Sequence, residues 1–155
     1  MELTRTLFAA LLVVGCVLGA GMDIVARRIP NGLCLALLIA GLGYAAWFGS
    51  WSALLSHAGF AAIALAVGAG LFGLRWIGAG DAKFFAGGAA WFSFEQAPLV
   101  LIAVSGAGLG LLLVWFVYRR IRGRKISRRD SPPHDQLPYG VAIALGVLAA
   151  FAQIA

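Results

Sequence analysis

The chain is poor in charge and poorest in acid. Its 155 residues include only six Asp and Glu, and charged residues of both signs make up 12% of the sequence. A soluble domain carries about twice that share. With 62% hydrophobic residues and a mean hydropathy of +0.94, the deficit excludes a water-soluble fold. Cysteine is scarce as well. Cys16 and Cys34 lie inside apolar runs and form no CxxC pair, which excludes a zinc or dithiol redox motif and leaves both as packing residues. No metal and no cofactor are expected.

What is present is apolar sequence in long runs. About 20 such residues cross a bilayer as a helix. The 21 glycines suit close helix packing in lipid, where small residues let backbones approach. The expected fold is all-α: a polytopic membrane protein of about six transmembrane helices, forming a single domain over residues 1–155 with no room for a soluble one. The segments run approximately over 6–25, 31–48, 53–76, 82–94, 98–118 and 138–154. Arg5, the first apolar run and Gly19-Ala20-Gly21 could pass for a signal peptide. Cleavage there would leave the bundle one helix short, so the first run is read as a retained helix.

The cations set the orientation. With the N-terminus outside, the inside connections hold Arg27, Arg28, Arg75, Lys83, Arg119, Arg120, Arg122, Arg124, Lys125, Arg128 and Arg129, which is eleven of the twelve; only Arg5 lies outside. The net charge of +6 is thus an orientation signal, and the 119–129 cluster is a loop near anionic lipid heads rather than a nucleic-acid site. Glycine-rich faces on segments three and five leave room for a homodimer.

Two acids then stand out. Asp23 ends segment one and Asp81 opens segment four, so both fall at one depth on the cytoplasmic side. Charged groups at the edge of membrane depth are costly and usually functional. Segment four is short, roughly 20 Å at 1.5 Å per residue against a core of roughly 30 Å. The Gly78-Ala79-Gly80 stretch before it reads as irregular backbone lining a wet cavity, with Gly78 and Gly80 clearing the approach to Asp81 and permitting unusual backbone angles. The bland alternative is a turn in which Asp81 caps segment four. Asp23 could likewise be only a juxtamembrane acid paired with Arg27. Pro138-Tyr139-Gly140 reads as a helix entry on the same face. His57 and Glu95 fall on the outer side and are given no role.

Three blocks carry a resemblance over essentially the whole chain: Asp23 with Arg27-Arg28-Ile29-Pro30-Asn31, Gly78-Ala79-Gly80-Asp81-Ala82-Lys83, and Pro138-Tyr139-Gly140. Together they resemble the type IV prepilin peptidases, of the GxGD class of intramembrane aspartyl proteases. The small size is most similar to the peptidases of tight-adherence (Flp) pili, the CpaA/TadV type. The resemblance implies Asp23 and Asp81 as the catalytic pair, with Gly78, Gly80, Lys83, Pro138, Tyr139 and Gly140 supporting them or lining the substrate approach. It implies a bacterial plasma-membrane enzyme that removes the basic leader of a prepilin or pseudopilin at the cytoplasmic face. Longer members also methylate the new N-terminus and carry paired CxxC motifs after the first aspartate. The loop after Asp23 is about seven residues here and has no cysteine pair, so a peptidase alone is expected.

Two close carboxylates cannot both ionise easily, so one keeps its proton and they act as a unit. Which is acid and which base stays open at this stage. A small proton-coupled carrier is the alternative use of two such acids. It would want them near the midplane, in broken helices of repeated halves, and no internal repeat is visible.

Overall fold

The computed structural model describes residues 1–121 and 138–154. The basic cluster at Arg122, Arg124, Lys125, Arg128 and Arg129 lies outside the described residues, as does Leu137. Among the described residues the chain forms six α-helices: α1 (Glu2–Ala26), α2 (Asn31–Phe48), α3 (Trp51–Gly73), α4 (Ala79–Ala89), α5 (Ala97–Ile121) and α6 (Tyr139–Phe151), with a short 3₁₀ turn at Phe94–Gln96 before α5. The protein is an all-α polytopic membrane protein. α1, α2, α3 and the stretch from Phe94 to Ile121 are long and apolar enough to cross a membrane.

Local chemistry sets the breaks. α1 ends at Arg27, which takes a left-handed conformation (φ 52°) while its N–H bonds back to the Asp23 carbonyl at 3.2 Å. Pro30 starts α2, its fixed φ of −63° leading into the helix and its carbonyl accepting from Leu33 and Cys34. Ser50 opens α3, its hydroxyl accepting the Ala53 N–H at 3.3 Å. α4 differs from expectation: it begins at Ala79 and ends at Ala89. Gly80 and Asp81 are therefore in a first helical turn rather than in irregular backbone, and the chain from Ala90 to Ser93 is turn.

The two shortest helices form the centre. α4 buries Ala82, Phe84 and all of Ala86 to Ala89, and α6 buries Gly140, Ala142, Ile143, Ala144, Gly146, Val147, Ala150 and Phe151. A helix apolar all round belongs inside. The long helices surround them and turn large side chains outward, with Ile102 73% and Val114 68% exposed, as only a lipid environment allows. Cys16 and Cys34 are buried and unpaired. Aromatic rings of Phe8, Tyr44, Phe48, Trp91 and Phe151 pack edge-on and stacked at the end of the bundle away from Asp23.

Glycine permits the close crossings. A Cβ on Gly41 would stand 2.8 Å from the Ala90 carbonyl carbon, and one on Gly87 2.8 Å from the Cys34 carbonyl oxygen, so α2 and the α4 region meet backbone to backbone. The tightest contact joins α6 to α5: a Cβ on Gly146 would collide with the Val104 Cα and lie 2.6 Å from its nitrogen. Backbone cannot move aside as a side-chain tip can. Gly146→Ala is expected to cost at least about 2 kcal/mol of stability, at the upper part of the overpacking range. Gly106→Ala, on a face of α5 with nothing within 4 Å, should be close to neutral. Thermal unfolding of the two variants in detergent checks the difference.

Candidate active site

α1 delivers Asp23 to one end of the bundle, one turn before its C-terminus. The side chain is 8% exposed, and its Oδ2 accepts the Gly140 N–H at 2.8 Å. That amide lies in the first turn of α6, where backbone N–H groups have no acceptor within the helix. Asp23 supplies one from 117 residues away. Glycine at 140 is a matter of space: a Cβ there would stand 2.9 Å from both the Cβ and the Oδ2 of Asp23.

Asp81 is the third residue of α4 and is half-buried. Its carboxylate lies against Gly78, which opens the helix, near enough for the Gly78 amide to favour its charged form. Gly78 adopts φ −75° and ψ 147°, which any residue can take, so the unusual backbone angles expected for this strip are not found there. Glycine leaves room instead, since a Cβ on Gly78 would stand 2.9 Å from the Asp81 Oδ2. At Gly80 the nearest atoms to such a Cβ belong to Ile29 at 3.7 Å, an ordinary contact.

Both aspartates line one cavity of about 310 Å³, together with Arg27, Arg28, Ile29, Asn31, Gly78, Ala79, Gly80 and Lys83. Three cations therefore face two carboxylates, and the left-handed turn at Arg27 is what brings Arg27 and Arg28 onto the wall. Asp81 stands outside the four long apolar helices. Burial first, and then the charge of Asp23, push its carboxyl up from the ordinary value, while the Gly78 amide acts the other way. The two acids are thus electrostatically coupled. Among the described residues no group of three or more His, Cys, Asp or Glu could hold a metal ion.

The remaining candidates divide. Lys83 does line the cavity, but its Nζ donates to the Asn31 Oδ1 at 2.9 Å, so it ties α4 to the start of α2. Asn31 was legible as part of the Arg27–Asn31 block, yet nothing in the sequence paired it with Lys83. Pro138 opens α6, and Tyr139 is 52% exposed; neither lines the cavity. Of that block only Gly140 reaches an aspartate. His57 is buried and lines a separate cavity at the other end of the bundle. Because the Lys83–Asn31 bond is exposed, its loss should be mild. Lys83→Met and Asn31→Ala are each expected to slow the reaction proposed below by less than about tenfold, and the double variant by no more than either alone, since both remove one bond. A double-mutant cycle on the initial rates checks this.

A model of the type IV leader peptidase family matches residues 10–118, a span that includes Asp23 and the whole of Gly78 to Lys83. The chain belongs to the type IV leader peptidase family. Pro138, Tyr139 and Gly140 lie beyond the matched span. Two relatives, the prepilin leader peptidase/N-methyltransferases of Burkholderia pseudomallei strains 1026b and K96243, are each 33% identical over 141 residues. The alignment covers 82% of this chain and 40% of each relative, so the chain spans well under half the length of these curated relatives. No solved structure matches significantly.

Proposed function

We propose that this leader peptidase family member is an aspartyl endopeptidase that cuts the basic leader from a type IV prepilin or pseudopilin of the Flp kind. The observation that carries the reading is the shared cavity, with Asp23 and Asp81 on one charged wall and the charge of one acting on the other. In this reading residues 1–155 act as one membrane unit in the plasma membrane, with the cavity on the cytoplasmic side. A prepilin fits that depth: its apolar helix stays in the bilayer while the leader junction falls at the cytoplasmic interface. The connection from α1 to α2 carries no cysteine, and we read the activity as peptidase without methyl transfer.

The surroundings of the two acids suggest a division of labour. Asp23 is arranged as an acceptor, with Oδ2 held by the Gly140 amide and Oδ1 left for water. Asp81 is the group pushed towards keeping its proton. Asp23 takes a proton from water as the water oxygen adds to the scissile carbonyl carbon. Asp81 gives its proton to the carbonyl oxygen. The tetrahedral diol then collapses: the C–N bond breaks, the proton on Asp23 goes to the departing nitrogen, and a diol hydroxyl returns a proton to Asp81. Both acids end as they began.

The test is cleavage of a leader-bearing prepilin by the purified protein in detergent, followed across pH. Shortening of the prepilin at the leader junction is the expected result, and an intact prepilin with folded protein would remove the reading. The sign of the basic limb follows from the role of Asp81. Rate falls at high pH as Asp81 loses its proton, and because that carboxyl is raised, the basic limb is displaced upward from that of an ordinary aspartate. A basic limb displaced downward would reverse or abolish the assignment.

A further inference from the structure

The end of the bundle away from Asp23 and Asp81 holds a second cavity, of about 230 Å³. Arg5 of α1, Tyr44 and Phe48 of α2, His57 of α3, and Trp91 and Gln96 of the connection between α4 and α5 contribute to its wall, and among the described residues no Asp or Glu does. His57 is only 8% exposed. Its Nδ1 lies 3.0 Å from the Ala90 carbonyl oxygen. A carbonyl only accepts, so Nδ1 carries the proton and Nε2 of the neutral ring is an acceptor. That nitrogen has no partner among the described residues. The ring is buried but Nε2 itself keeps accessible surface, so it is open to a donor that enters the cavity.

The neighbours supply the complementary half. The Arg5 guanidinium sits 5.5 Å from the centre of the Phe48 ring and has no carboxylate partner among the described residues. Gln96 spends its Oε1 on the Ser93 N–H at 2.9 Å, which leaves its NH₂ as the free end. The cavity therefore offers a cation and an amide donor for an anion, an acceptor for a donor group, and an aromatic wall that favours an ammonium. Its depth is marked by Trp47 and Trp51, 70% and 73% exposed at the adjoining ends of α2 and α3. Exposed tryptophans of a membrane protein gather at the head-group level.

We propose that this cavity binds the phosphoethanolamine head group of a membrane phospholipid, with the phosphate on Arg5 and Gln96 and the ammonium on His57 Nε2 against the aromatic wall. This site is separate from the proposed peptidase cavity and does not depend on it. Retention of lipid by the purified protein, measured by native mass spectrometry from detergent, tests it. Phosphatidylethanolamine and phosphatidylglycerol are offered to the wild type, to Arg5→Gln and to His57→Asn. Asn keeps a donor for the Ala90 carbonyl and removes only the Nε2 acceptor. One phosphatidylethanolamine should be retained in preference to phosphatidylglycerol, and each substitution should weaken that retention about tenfold, the loss of one charge-assisted hydrogen bond. Free phosphoethanolamine should compete for the site and inorganic phosphate should not. Equal retention in all three proteins would mean annular lipid and overturn the proposal. Equal retention of the two lipids would overturn the ammonium contact, and equal competition by inorganic phosphate would reduce the site to one for phosphate alone. If His57→Asn fails to fold, Arg5→Gln at an exposed residue decides the matter.

Discussion

Replacing Asp23 or Asp81 by Asn is expected to slow prepilin processing by at least about 100-fold while the protein remains folded in the membrane. Asparagine is nearly isosteric with aspartate, so the substitutions test charge and proton transfer rather than packing. At position 23 the amide oxygen can still accept the Gly140 N–H, so the start of α6 keeps its bond. What disappears is a proton acceptor in one variant and a proton donor in the other. Because the two acids act together in the same steps and neither works without the other, the double variant should be no slower than the worse single variant. The ratio of leader-bearing to mature pilin in cells, with an immunoblot of the membrane fraction for the peptidase itself, gives the result. Normal maturation in either single variant would sink the two-aspartate mechanism, and a double variant slowed by the product of the two effects would mean that the acids act separately.

The pair could be suspected from sequence because the physics that marks it is one-dimensional. Carboxylates are costly beside apolar runs, so the few that stand there are conspicuous, and the cation count puts Asp23 and Asp81 at the same face without any knowledge of packing. The helices were legible for the same reason. The start of α4 was not, because Gly78 and Gly80 flank Ala79 with residues of little helix preference, so the first turn has no local signal. The pairing of Lys83 with Asn31 depends on how α4 crosses α2, and the bond from Gly140 to Asp23 depends on how α6 lies against α1. Neither crossing has a local signal. The central place of α4 and α6 is also a packing result: by length they look like weak membrane spans, yet the short segments are the ones small enough to be enclosed. His57 was set aside as lying on the outer side, and its burial against the Ala90 carbonyl comes from a turn that the sequence read as helix.

Gly140→Ala should lower prepilin processing by about 100-fold while leaving the protein folded. One methyl group is enough because of where it lands. Its carbon would stand 2.9 Å from the Cβ and Oδ2 of Asp23 and 3.1 Å from its Cγ, so the whole carboxylate must be displaced and not merely rotated. The same displacement pulls Oδ2 from the Gly140 amide, leaving that buried N–H without its acceptor. A misplacement of about 1 Å at a reacting group costs on the order of 100-fold. Folding is a different matter, since alanine is the better helix former and the clash is with a side chain at the rim of the bundle rather than with backbone. Gly80→Ala is the control. It adds the same methyl on the wall of the same cavity, but meets only Ile29 at 3.7 Å, and its rate should stay close to wild type. Gly78→Ala falls between them, because its methyl meets the tip of the Asp81 carboxylate, which can turn away at some cost in aim. Initial rates on one prepilin, with unfolding temperatures measured alongside, give the order 140, 78, 80. If 140 and 80 proved equally active, the bond between α6 and Asp23 would be a packing contact with no part in aiming the carboxylate.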